Sequence, residues 1–72
     1  MTERRWKVAQ LRPQPEAVEV MFYESARIYR LWRANPDFEA ALRTLQSAKA
    51  SGDAVSVTLS KQDEEIIETV RP

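Results

Sequence analysis

The sequence predicts a small α+β domain: an antiparallel sheet or partly open barrel with one helix, in the element order β-β-β-α-β-β. Three observations carry this reading. Residues 36–51 repeat apolar side chains at helical spacing and carry start and stop signals at both ends. Residues 54–60 alternate apolar and polar side chains with the period of two that marks a half-buried strand. The first half of the chain is rich in Val, Ile, Tyr, Phe and Trp, residue types that suit a pleated, half-buried surface.

Taken in order, Arg5 to Leu11 reads as an N-terminal strand, and Pro13 and Pro15 break the chain after it. Residues 16–34 admit two readings. As a hairpin, Ala17–Tyr23 pairs with Ala26–Trp32 around a turn near Glu24–Ser25. Val18, Val20 and Phe22 then share a face with Tyr29 and Leu31, and Glu19, Met21 and Tyr23 lie opposite with Ile28, Arg30 and Trp32. As a second helix, Val18, Met21, Phe22, Ser25, Ile28, Tyr29 and Trp32 fall on one stripe, and the order becomes β-α-α-β-β. Composition favours the hairpin, although its turn lacks the Gly or Asn that tight hairpins prefer.

The helix from about Pro36 to Ser51 is the best-marked element. Asn35 is placed as its N-cap and Pro36 as its first residue, where a missing N–H is harmless. Asp37 and Glu39 suit the positive end of the helix dipole. Phe38, Ala41, Leu42, Leu45 and Ala48 form the apolar face, and Lys49 lies in the last turn. Gly52, the only glycine, supplies the left-handed cap. Val55, Val57 and Leu59 then point one way from a strand over Ala54–Ser60, Lys61–Glu65 form a polar loop, and Ile66–Val70 is a last strand.

With the hairpin, the element order resembles that of the OB-fold, a five-stranded, partly open barrel with its helix between the third and fourth strands. The resemblance lies in order alone, and it implies a ligand face on the second and third strands.

Length and composition bound the function. Seventy-two residues make one domain, expected to span 1–72, with a small core, so any stabilising partner is expected to be another chain. There is no cysteine for a disulfide framework and no histidine to serve as a zinc ligand or as a base near neutral pH. The serines (25, 47, 51, 56 and 60) therefore lack the usual activating partner, and one glycine cannot build a phosphate-binding loop. Asp63, Glu64, Glu65 and Glu68 fit no calcium-loop spacing and read as a solvated loop. No enzyme activity, cofactor or metal is expected. The absence of an apolar run behind the N-terminus predicts no membrane partner and a cytoplasmic location.

Formal charge sums to zero but is uneven: residues 1–36 hold seven basic against four acidic side chains, and residues 37–72 hold four against seven. The segment Arg27, Tyr29, Arg30, Trp32, Arg33 interleaves basic and aromatic side chains, and Arg4, Arg5, Trp6 and Lys7 do so more weakly. The candidate binding face is therefore Met21, Tyr23, Arg30 and Trp32. The expected function is a protein-interaction or accessory module, with a homodimer among its forms. The alternative is an OB-like module that binds single-stranded nucleic acid by stacking and charge.

Overall fold

A computed structural model describes residues 3–72, so Met1 and Thr2, which open the segment read for a targeting signal, lie outside the described residues. Six elements follow in the expected order: β1 (Glu3–Pro13), β2 (Ala17–Phe22), β3 (Ile28–Trp32), α1 (Phe38–Ser51), β4 (Ala54–Leu59) and β5 (Ile67–Arg71). The second helix considered for residues 16–34 does not form. In its place β2 and β3 pair as the hairpin, with the expected two faces, and the register sets Val18 opposite Leu31, Val20 opposite Tyr29 and Glu19 opposite Arg30. That register buries Val18, Val20, Tyr29 and Leu31 on one face and leaves the charged pair on the other.

The strands form one antiparallel sheet in the order β3-β2-β1-β4-β5. Central β1 is long enough to serve two partners in succession: Glu3–Lys7 pair with β4, and Val8–Pro13 pair with β2. The two outer strands approach each other at one place. There the Arg30 N–H donates to the Glu65 carbonyl at 2.8 Å, beside a single parallel bridge between Arg30 and Ile66. The sheet is not closed into a true barrel. No helix among the described residues is long and apolar enough to cross a membrane.

Two bulges keep the apolar side chains on one face. In β1, Val8 is buried and both Trp6 and Leu11 pack on the core, although a regular strand would send Leu11 to the opposite face. A register shift between Val8 and Gln10 leaves Ala9 as the extra residue and restores the parity. In β4–β5, Thr58 pairs with Thr69 but Leu59 pairs with Ile67, so Glu68 is extra and both Ile67 and Val70 reach the core. This also moves the start of the last strand from Ile66 to Ile67, with Ile66 used in the bridge to β3.

The turn expected near Glu24–Ser25 is a wider loop, residues 23–27. A two-residue hairpin turn needs positive φ, and this loop has neither glycine nor asparagine. No non-glycine residue among those described has positive φ. Side chains stabilise the wider loop: the Glu24 carboxylate accepts the Lys7 N–H at 2.8 Å, and the Ser25 hydroxyl accepts the Arg27 N–H at 3.3 Å. The Ser25 hydroxyl also bonds the Tyr29 hydroxyl at 2.8 Å, which satisfies the one polar atom of a buried ring.

The helix starts at Phe38, two residues later than expected, because Asn35 and Pro36 form a turn ahead of it. The Phe38 N–H reaches the Asn35 carbonyl at 2.9 Å, which puts Pro36 at the second turn position, where its fixed φ fits. Asp37 is the N-cap residue, without a side-chain cap bond. The Asn35 Oδ1 accepts the Asp37 N–H at 2.8 Å. Its Nδ2 donates to the Glu68 carbonyl at 3.0 Å, with a longer contact to the Ile67 carbonyl. One asparagine thus both orders the helix entry and holds the β5 bulge. Ala41, Leu45 and Ala48 are the buried stripe of α1, with Phe38 and Leu42 at its margin. Gly52 ends the helix at φ 80°, its N–H bonded to the Ala48 carbonyl.

Among the described residues the core holds no buried polar or charged residue. Total accessible surface is 4657 Å², against roughly 4600 Å² from the scaling for folded monomers of this mass. The single chain therefore reaches ordinary monomer compaction without a second chain.

Candidate functional site

The sheet has two faces. One carries the core under α1. The other is bare, and its rows follow from the register. Across β3, β2 and β1, Arg30 lies beside Glu19 and Glu19 beside Arg12, while Ile28 lies beside Met21 and Met21 beside Gln10. Trp32 lies opposite Ala17 at the end of the hairpin. The bare face of β2–β3 therefore gathers Met21, Arg30 and Trp32, three of the four candidate residues. Tyr23 follows β2 by one residue, and its N–H donates to the Lys7 carbonyl at 3.0 Å.

Exposure sorts these side chains. Tyr23 is 75% exposed and Ile28 39% exposed, and among the described residues these two are the large apolar side chains most open to solvent. Met21, Arg30 and Trp32 are half-buried. Ile28 lies on this face, as alternation predicts, but is not among the four candidate residues. A β-branched residue in a strand ordinarily reads as core, and only the register shows that its neighbour is Met21. Trp32 closes a shallow depression with Pro15, Glu16, Glu19 and Arg30.

The charges on this face are matched. Arg12 pairs with Glu19 at 3.1 Å and Arg30 approaches Glu65 at 3.9 Å. Both pairs are exposed enough that each contributes only about 0–1 kcal/mol. Their larger effect is on charge: two arginines meet two carboxylates, and the face is locally neutral.

The basic and aromatic segment that prompted the candidate is divided by the fold. Tyr29 is a core residue, its ring 5.5 Å from that of Phe22 and 5.4 Å from that of Trp6. Trp6 itself lies 5.2 Å from Phe22, so one aromatic from each of β1, β2 and β3 forms a cluster at one end of the sheet. Arg33 is tied down: its guanidinium donates twice to the Gln14 carbonyl, at 3.1 and 3.0 Å, and lies 5.3 Å from the Phe38 ring centre. Only Arg30 and Trp32 of the five remain on the bare face of β3.

The acidic loop after β4 is occupied with its own backbone. Asp63 Oδ1 accepts the Glu65 N–H at 2.9 Å, and the Asp63 carbonyl accepts the Ile66 N–H at 3.0 Å. Among the described residues no three carboxylates gather as metal ligands would. Comparison with known proteins finds no family model, no curated protein and no solved structure that matches this chain.

Proposed function

We propose that this chain is a small, non-enzymatic protein-contact module that pairs with a second copy of itself through the bare face of β2–β3. The observation that carries the reading is the combination of Tyr23, Ile28, Met21 and Trp32 with charges that cancel locally. An apolar patch rimmed by charge is the general form of a protein contact surface. A two-fold contact brings each patch against its own copy, so a patch of one net sign would repel itself. This one, with Arg12 and Arg30 matched by Glu19 and Glu65, would not. Because the monomer is already compact, pairing is expected to be reversible rather than a condition of folding. Sedimentation velocity over a concentration series tests it. The expected result is a rise toward the dimer value that Ile28→Lys and Tyr23→Glu each abolish. A single monomeric species at all concentrations, in wild type and variants alike, would sink the reading.

A second reading has its own support. The strand order, the contact between β3 and β5 and the helix between β3 and β4 suit an OB-like barrel, whose ligands bind on the second and third strands. On that reading Trp32 stacks on a base and Arg30 meets a phosphate. Salt-sensitive oligonucleotide binding, lost in Trp32→Ala and Arg30→Ala, is the expected behaviour. The carboxylates of Glu19 and Glu65 beside those arginines weigh against it.

A further inference from the structure

Three further arginines, Arg5, Arg43 and Arg71, lie elsewhere, where the second half of α1 meets the adjoining ends of β4 and β5. Arg5 on β1 lies opposite Ser56 on β4, and Ser56 lies opposite Arg71 on β5. Two arginines therefore flank one serine in a single row across three strands, separated by roughly two strand spacings of about 4.8 Å each. The Arg5 Nη1 donates to the Ser56 Oγ at 3.1 Å, which holds the guanidinium in place. A groove of about 460 Å³ opens beside this row, lined by Arg5 together with Arg43, Thr44, Ser47, Ser51 and Asp53. Among the described residues Arg5, Arg43 and Arg71 have no carboxylate within salt-bridge distance.

The remaining polar groups divide clearly. The Thr44 hydroxyl donates to the Ala40 carbonyl at 3.0 Å and the Ser51 hydroxyl bonds Asp53 at 3.0 Å, so both are occupied within the fold. Among the described residues Asp53 is the one acidic side chain lining the groove, and Pro72, the last residue, lines it too. Among the described residues the Ser47 hydroxyl and the Arg43 guanidinium have no hydrogen-bond partner, and the Arg5 fork has only Ser56. We infer that this groove binds an oxyanion, the phosphate or carboxylate group of a small ligand, between Arg5 and Arg43 with Ser47 as a further donor. Planar guanidinium forks match the paired oxygens of either group. The inference is independent of the contact proposed for β2–β3, since it uses other residues on another part of the surface.

Amide NMR titration of the whole chain with inorganic phosphate, and separately with acetate, tests the inference. Saturable shifts are expected at Arg43, Thr44, Ser47, Ser51 and Ser56, with a Kd on the order of 1 mM for so small and exposed a ligand. Arg43→Gln and Arg5→Gln should each weaken phosphate at least fivefold, and the double variant should abolish saturation. Ser47→Ala, a change on the helix surface that favours helix, should weaken it less and leaves the fold intact as a check. Saturation by phosphate alone assigns the site to phosphate-bearing ligands, and saturation by acetate as well assigns it to carboxylates too. Absence of saturable shifts, or shifts that persist unchanged in the double variant, would overturn the inference.

Discussion

Asn35 offers the sharpest test of how the fold is held, because two roles for it predict different outcomes. As a simple N-cap, Asn35 would be replaceable by Asp, which caps equally well. In the structure its Oδ1 accepts the Asp37 N–H at 2.8 Å while its Nδ2 donates to the Glu68 carbonyl at 3.0 Å. Asn35→Ala removes both bonds. At a net 0.5–1.5 kcal/mol for each hydrogen bond, the loss is about 1–3 kcal/mol. Stability for a chain of this length is roughly 4–11 kcal/mol, so the change is a large fraction of the whole. It corresponds to a fall in Tm on the order of 10 °C. Asn35→Asp keeps the acceptor, loses the donor and sets a carboxylate against the bulge carbonyls, so it should lose at least half as much. Urea and thermal denaturation followed by circular dichroism measure both. A stable Asn35→Asp, within about 0.3 kcal/mol of wild type, would refute the clamp on β5.

Two further changes probe the local packing. Tyr29→Phe removes the bond to Ser25 at the cost of about 1 kcal/mol, whereas Ser25→Ala strands the buried tyrosine hydroxyl and should cost as much or more, about 1–3 kcal/mol; denaturant midpoints rank the two. Gly52→Ala meets no atom within 4 Å of the added Cβ, so its loss should come from the left-handed backbone alone, about 1–2 kcal/mol, without a change in the slope of the urea transition.

Much of the fold was legible in local pattern. The period of Ala41, Leu45 and Ala48, the alternation of Val55, Val57 and Leu59, and the cap at Gly52 are all short-range signals, and each is found where the pattern puts it. The two faces of the β2–β3 hairpin follow from alternation, and the pairing of Glu19 with Arg30 agrees with them. The bulges at Ala9 and Glu68 were harder, because a parity change in an apolar pattern shows only against a known partner strand. A related clue was present: Trp6 and Val8 sit at even positions and Leu11 at an odd one. Nothing local separates Asn35 from a simple N-cap, because its second partner, Glu68, lies 33 residues away. The candidate face was legible in part for the same reason. Composition marks Tyr29 and Arg33 as strongly as Arg30 and Trp32; alternation sets Tyr29 apart with Leu31, but only the partners Gln14 and Phe38 assign Arg33 to packing. Arg5 and Arg71 could not be read as a pair, since their common neighbour Ser56 is set by register.

The bare β2–β3 face is the central claim, and mapping self-association residue by residue tests it most directly. Amide spectra of the wild-type chain recorded over a dilution series report which residues change surroundings as the monomers separate. The account predicts progressive shifts at Met21, Tyr23, Ile28, Arg30 and Trp32, with the α1 amides of Thr44–Ser51 unmoved. Spectra that do not change with concentration, or changes confined to the α1 and β4 side, would contradict it.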